Sequence, residues 1–240
     1  MTIPCILAAI CVALSLTIST LRVLGHRRLG FALKCLAAAL FLLTAALGAG
    51  QRAQPLGHPA IFMIVGLAFG SIGDVFLGLA PLVAKEKYSL YSTLGGIPFF
   101  IGHFFFIAAL MIGVPLRWPL LLLLPLLPVL YMLLNKMKII DLGKKIIPIM
   151  GYGLILGAMM LASINYAAHA AAGAGLPMAG TPVGILLWFS GILFAVSDTS
   201  LFLRNFGNKN IQRRAQGLEF AVMLPYFSAQ AIFALAVAYV

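Results

Sequence analysis

Long apolar stretches fill almost the whole sequence and leave only short polar segments between them. A bilayer core takes about 20 apolar residues per helix. About eight such stretches can be marked, near residues 3–24, 30–50, 59–82, 93–113, 117–135, 146–169, 183–203 and 217–239. Because the connections between them are short, no soluble domain fits in the remainder. The sequence therefore predicts an all-α polytopic membrane protein in which residues 1–240 form a single transmembrane helical bundle.

Composition excludes the competing fold classes. Only 9% of the 240 residues are charged, against about 25% in an ordinary soluble domain, so a water-soluble fold is excluded. The runs also lack the alternation of apolar and polar residues that is typical of outer-membrane barrel strands. The first stretch has no basic segment before it, which predicts a membrane helix and not a cleaved signal peptide.

The basic residues lie almost entirely in alternate connections. The first, third, fifth and seventh connections, with their flanks, contain Arg22, Arg27, Arg28, Lys34, Lys85, Lys87, Lys136, Lys138, Lys144, Lys145, Arg204, Lys209, Arg213 and Arg214. The second and fourth contain Arg52 and Arg117. Loops rich in lysine and arginine stay in the cytoplasm. We therefore expect both termini on the non-cytoplasmic side of a bacterial inner membrane or its equivalent, and we assign the net charge of +11 to topology, not to nucleic-acid binding.

Two acidic residues lie inside apolar helices. Asp74 and Asp198 are embedded in the third and seventh stretches, whereas Glu86 and Asp141 accompany basic residues in the connections. An acid at the centre of a membrane helix costs roughly 2.5–3.5 kcal/mol on insertion scales. A compensating role is therefore expected, either catalytic or as a neutral carboxyl group that is hydrogen-bonded to a neighbouring helix.

Helix periodicity predicts that the two acids face the bundle and share one cavity. Gly66, Gly70 and Gly73 lie on the same helix face as Asp74, and small residues allow a neighbouring helix to approach closely. Both helices run in the same direction. At 1.5 Å per residue, Asp74 lies about 16 Å above Lys85 and Asp198 about 9 Å above Arg204, in the same leaflet.

Further polar side chains are expected at a similar depth. His103 lies midway along the fourth stretch, roughly 15 Å from its predicted start at 1.5 Å per residue. In the last stretch, polar and sulfur-containing side chains are spaced for one helical stripe that leads inward from the cytoplasmic side. This stripe consists of Glu219, Met223, Tyr226 and Gln230. A histidine among phenylalanines and a single tyrosine can equally be structural.

Four short motifs, in this order, resemble those of the YhhN family of lysoplasmalogenases. They are Gly73-Asp74-x-x-Leu77, Phe99-x-x-x-His103, Ser197-Asp198-x-x-Leu201 and Tyr226-Phe-x-x-Gln230. Together with the eight stretches, the resemblance covers essentially the whole chain. One departure is Phe106, which stands where the family often has a tyrosine.

The resemblance implies a membrane hydrolase that cleaves the vinyl-ether bond of lysoplasmalogens, with choline or ethanolamine head groups, to a fatty aldehyde and a glycerophospho-base. The reaction needs an acid that protonates the alkene carbon, an anion that stabilises the resulting cation, and water, but no cofactor. Asp74, Asp198 and His103 are the implied catalytic residues, and the deeper setting of Asp74 favours it as the acid.

The same resemblance suggests how the substrate is held. A lysophospholipid would enter from the membrane, with its chain in lipid and its phosphate near water. Oxygen atoms of the ether and glycerol would be bound by polar side chains, and the phosphate would meet cations at the helix ends. The predicted substrate-binding residues are Tyr226, Gln230, Ser197, Lys34, Lys85 and Arg204. Alternatively, Lys34, Lys85 and Arg204 serve only to set the orientation of the helices in the membrane.

Two other functions agree with the same residues. A proton-coupled transporter of small molecules or lipids also places acids and histidine within the membrane, and the recurrence of small-Asp-x-x-Leu is compatible with a duplicated four-helix unit. Alternatively, Asp74, Asp198 and His103 would be ligands of a metal hydrolase. We predict no metal, because the sequence has no HExxH motif.

Overall fold

The computed structural model describes residues 2–52, 55–173 and 180–239. These residues form an all-helical bundle, confirming the predicted fold class. Its α-helices are α1 (Thr2–Val23), α2 (Arg27–Gly50), α3 (His58–Leu79), α4 (Lys85–Met111), α5 (Leu126–Lys136), α6 (Ile146–Ala171), α7 (Gly180–Phe206), α8 (Lys209–Gln212) and α9 (Ala215–Ala236). Within the described residues, eight helical segments are long and apolar enough to cross a membrane, and α8 is a single turn between the last two.

The structure departs from the predicted helices at the start of the fourth span and inside the fifth. α4 begins at Lys85, eight residues before the predicted start at 93, and its first two turns are exposed. Their charges suggested a loop, but charged side chains are compatible with a helix that projects beyond the apolar layer. The fifth span is broken into a 3₁₀ helix, Trp118–Leu123, followed by α5. Pro125, which lies between the two segments, explains the break, because proline lacks an N–H donor and clashes with the preceding turn.

The last helix, α9, lies at the centre of the bundle. It packs against α1, α2, α3 and α7, while α4 packs on α3 and α6 packs on α7. Its side chains Phe227, Gln230 and Phe233 are fully buried. The duplicated four-helix unit, with which the recurring small-Asp-x-x-Leu motif is compatible, stays a prediction.

Close packing of α3 on α4 depends on glycine. A Cβ atom on Gly66 would lie 2.8 Å from the ring of Phe106, and one on Gly73 would lie 2.6 Å from the ring of Phe99. These distances are shorter than van der Waals contact, so only glycine permits this approach. The predicted small-residue face of α3 is thus buried, and it brings Asp74 beside the face of α4 that carries His103.

The two ends of the bundle differ in charge. α1, α3, α5 and α7 finish at one end, which we call the basic end because Arg22, Arg27, Lys85 and Arg204 line one cavity there. Hydrogen bonds join the connections at this end, among them one from the Asn208 backbone N–H to the Ile139 carbonyl oxygen at 2.8 Å. The basic residues of alternate connections therefore meet at a common end of the fold.

Candidate active site

Asp74 is held by two groups from different helices. Its Oδ1 lies 2.9 Å from the Lys34 ammonium of α2, and its Oδ2 accepts a hydrogen bond of 2.6 Å from the Tyr226 hydroxyl of α9. Gln230, one turn further along α9, donates to the Tyr226 hydroxyl at 2.8 Å. Both members of the ion pair are buried, with 1% of Asp74 and 3% of Lys34 exposed. The ammonium compensates the charge of an ionised Asp74 inside the membrane.

Asp198 has a different environment. Its Oδ2 accepts a hydrogen bond of 2.7 Å from the Tyr152 hydroxyl of α6. Within the described residues no lysine or arginine forms an ion pair with it, and 7% of the residue is exposed. A buried carboxyl group without a cation is most cheaply accommodated in its neutral form.

His103 lies beside Asp198. Its Nε2 is 3.9 Å from Asp198 Oδ2, too far for a hydrogen bond. Its Nδ1 lies 2.5 Å from the Phe99 carbonyl oxygen. Because a carbonyl group only accepts, Nδ1 carries the proton, and Nε2 of a neutral imidazole is left as an acceptor facing the carboxyl group.

One small cavity joins the two acids. It has a volume of about 30 Å³ and is lined by both carboxyl residues and by the apolar side chains of Leu77, Phe99 and Met223. This volume suits a water molecule but not a lipid chain. The expectation that Asp74 and Asp198 share a cavity agrees with this geometry.

A larger cavity lies next to it at the basic end. This vestibule, as we call it, has a volume of about 460 Å³, and its wall includes Arg22, Arg27, Lys85, Arg204 and Glu219. Arg22 and Arg204 also line the small cavity. The two spaces therefore adjoin at these two arginines.

Glu219 joins the two arginines. Arg22 Nη1 donates to Glu219 Oε1 at 2.8 Å, and Arg204 Nη1 donates to Oε2. The three side chains come from α1, α7 and α9 and are largely buried. They close the floor of the vestibule with a carboxylate between two guanidinium groups.

The predicted binding residues fall into separate places. Tyr226 contacts Asp74, and Gln230 contacts Tyr226. Lys85 and Arg204 line the vestibule.

Lys34 is not at the helix end as expected but is buried against Asp74, because α2 starts three residues earlier than predicted and the long lysine side chain reaches inward. Ser197 donates to the Val222 carbonyl oxygen at 2.9 Å, a bond between α7 and α9.

Sequence reasoning missed two residues of the site. Tyr152, the partner of Asp198, stands between Gly151 and Gly153 in an apolar helix, and a single tyrosine in such a helix does not stand out as a functional residue. Arg22 was counted only as topological charge, although it lies within the last turn of α1. Each residue has its role through a contact with another helix, Tyr152 with Asp198 and Arg22 with Glu219. No pattern within its own helix predicts that contact.

The residue types that bind metals do not cluster in the described parts of the chain. Over the ranges 2–52, 55–173 and 180–239, no group of three or more histidine, cysteine, aspartate or glutamate side chains lies close enough together to hold an ion. Asp74 instead uses its oxygen atoms for Lys34 and Tyr226.

The fold and the site define a polytopic integral membrane protein with a buried, acid-lined cavity between its helices. The chain belongs to the YhhN family, whose model matches residues 29–237. No curated protein and no solved structure matches the chain.

Proposed function

We propose that this protein is a membrane hydrolase that cleaves the vinyl-ether bond of lysoplasmalogens. The observation that carries the proposal is a single buried cavity with two carboxyl groups in opposite electrostatic settings. Membership of the YhhN family is consistent with this activity.

The reaction needs one proton donor and one anion. Protonation of the alkene carbon furthest from the ether oxygen gives an oxocarbenium ion. Water adds to the carbon that bears the oxygen and loses a proton, and the resulting hemiacetal collapses to a fatty aldehyde and the free hydroxyl of the glycerophospho-base. One water molecule is consumed for each bond broken, and the catalytic proton is returned.

The two acids suit these two tasks. Asp198, without a lysine or arginine partner, is the proton donor in our proposal, and Asp74, paired with Lys34, is the anion that stabilises the cation. This reverses the assignment that helix depth alone favoured. His103 Nε2 accepts a proton from the attacking water or orients it.

The surroundings of the cavity favour a lipid substrate. Its apolar wall, with Phe99, Val222 and Met223, suits the hydrocarbon next to the vinyl-ether bond, while the vestibule offers cations to a phosphate. Because the cavity holds about 30 Å³, the helices must separate to admit the chain from the bilayer. Tyr226 and Gln230 would then bind the ether or glycerol oxygen atoms.

An aldehyde assay on purified protein tests the proposal. We expect lysoplasmenyl-choline and lysoplasmenyl-ethanolamine to release a fatty aldehyde in detergent, with no release from their acyl analogues. Fatty acid from the acyl lipids would indicate a lysophospholipase instead. Substrate flux in vesicles without any aldehyde would favour the proton-coupled transporter.

The orientation in the membrane belongs to the same proposal. We infer that the basic end faces the cytoplasm, because loops rich in lysine and arginine are retained there. A reporter fused after Val240 should then be outside, and one inserted near Lys209 should be inside. The opposite pattern would place the vestibule on the other side of the membrane.

A further inference from the structure

The Arg22–Glu219–Arg204 bridge has the chemistry of an occupied anion site. Two guanidinium groups from α1 and α7 converge on one carboxylate of α9. Arginine binds carboxylate and phosphate through the same planar pattern of donors. A phosphate group can therefore replace the glutamate without rebuilding the site.

The bridge also lies where a substrate must pass. Arg22 and Arg204 line both the vestibule and the small cavity, and Glu219 lines the vestibule. Met223, one turn further along α9, already lines the small cavity. The glutamate thus marks the border between the wide, polar space and the narrow, acid-lined one.

The charge of the vestibule favours an additional anion. Arg22, Arg27, Lys85 and Arg204 face it, while Glu219 is the acid on its wall. These formal charges sum to +3 in the described lining. A phosphodiester carries one negative charge, so the lining stays cationic, with a sum of +2, when both the phosphodiester and an ionised Glu219 are present.

We propose that Arg22 and Arg204 bind the phosphate of the lysophospholipid, and that Glu219 is a built-in competitor that the phosphate displaces. This inference rests on the proposed function for the identity of the lipid. Displacement releases α9 from α1 and α7 at the mouth of the small cavity, while the phosphate itself keeps the two arginines joined, so binding of the head group loosens the contact of α9 with the helices beside it.

The spacing along α9 agrees with this placement. Seven residues separate Glu219 from Tyr226, which corresponds to about 10 Å along a helix. In a lysoplasmalogen, seven bonds join the phosphorus to the vinyl carbon furthest from the ether oxygen, roughly 8–9 Å in an extended chain that advances about 1.2 Å per bond. A phosphate at the arginines therefore brings the vinyl-ether bond to the level of the two acids.

Binding of non-cleavable lipids tests the site without any catalysis. The probes are a saturated alkyl-ether lysophosphocholine and the matching alkylglycerol, which lacks phosphate, each titrated into purified protein in detergent by native mass spectrometry. We expect the phospholipid to bind the wild type at least about tenfold more tightly than the alkylglycerol. Equal affinities would overturn the proposal, and they would do so whether or not the protein releases aldehyde.

Variants separate an exchange site from a purely structural bridge. Glu219→Gln removes the competitor, so we expect it to bind the phospholipid several-fold more tightly than wild type, with Arg28→Gln, an exposed residue of the same end, as the unchanged control. Unchanged or weaker binding by Glu219→Gln would refute the exchange.

A test of Arg204 needs a variant that leaves the net charge of the three-residue bridge unchanged. Arg204→Gln combined with Glu219→Gln leaves no unpaired carboxylate, so it is the safer variant for folding. We expect it to lose at least about tenfold in affinity relative to Glu219→Gln alone. Retained affinity would show that Arg204 does not bind the phosphate.

Inorganic phosphate distinguishes a lipid head group from a free anion. For a lipid site, millimolar phosphate should displace the alkyl-ether lysophosphocholine only weakly, because the chain contributes much of the binding energy. If inorganic phosphate binds as tightly as the lipid, the assignment to a lysophospholipid is wrong.

Discussion

Asp74 and Asp198 lie on one cavity, yet their partners are chemically opposite. Asp74 contacts an ammonium group and a tyrosine, whereas Asp198 contacts a tyrosine and faces a histidine at 3.9 Å. An ion pair stabilises a carboxylate, while its absence favours the neutral acid. Similar sequence motifs on α3 and α7 thus provide different chemical groups, because neighbouring helices and not the motifs determine the charge.

The largest expected effect comes from Asp198. The substitution Asp198→Asn removes the proposed proton donor. We therefore expect aldehyde release to fall at least about a thousandfold, within the range for loss of a general acid. Turnover by purified protein checks this, with Asp141→Asn, an exposed acid in a connection, as the control. Activity within a few-fold of wild type would remove Asp198 from the mechanism.

The second-largest effect is expected at Asp74, where substitution should lower both turnover and stability. Asp74→Asn should lower turnover about a hundredfold through loss of the anion. It also leaves Lys34 buried without its partner, at a cost of roughly 3–5 kcal/mol. Thermal unfolding in detergent should show this loss.

A double variant tests the ion pair directly. Lys34→Met with Asp74→Asn removes both charges, so the thermal midpoint should return toward wild type while activity stays low. If Lys34→Met alone is as stable as wild type, the two residues do not form a buried pair, and the contrast between the acids disappears.

Loss of the Tyr226 hydroxyl, which binds Asp74, should lower turnover more than loss of the Tyr152 hydroxyl, which binds Asp198. Tyr226→Phe deletes a bond to an ionised group, worth about 1.5–3 kcal/mol, and Tyr152→Phe a bond to a neutral one, worth about 0.5–1.5 kcal/mol. We therefore expect turnover to fall roughly 10- to 100-fold for Tyr226→Phe and less than about tenfold for Tyr152→Phe. Tyr239→Phe is the control, and the reverse order would exchange the proposed roles.

The smallest effect is expected at His103. In the metal-free mechanism it orients water, so His103→Gln should keep at least about a tenth of the activity and stay insensitive to chelators. If wild-type activity disappears with chelator and returns with one divalent ion, Asp74, His103 and Asp198 are metal ligands instead. Slower turnover in D₂O would independently support rate-limiting proton transfer to carbon.

The sequence predicts the spans and the inward-facing acids well, since both follow from helix periodicity and the cost of burying charge. The contact of Tyr226 with Gln230 also follows from their spacing of four residues. Lys34 and Tyr152 could not be assigned as partners of the acids, because periodicity within one helix does not determine which side chains of the neighbouring helix its face will meet. The early start of α4 does not follow from hydropathy, because charged residues are found both in loops and in helical turns that extend beyond the apolar layer.

The interlocking of glycines and phenylalanine rings has a mechanical consequence. Gly66 packs closely on the ring of Phe106, and Gly73 packs closely on the ring of Phe99. These two contacts prevent α3 from sliding or rotating against α4. Asp74 and His103 therefore move as one stiff body, whereas Asp198 and Tyr152 belong to α7 and α6. If the proposed lipid enters between these two helix pairs, it changes the distance between the Asp74 and Asp198 carboxyl groups and leaves the contacts within each pair intact, so the separation of the two acids would depend on the size of the bound chain.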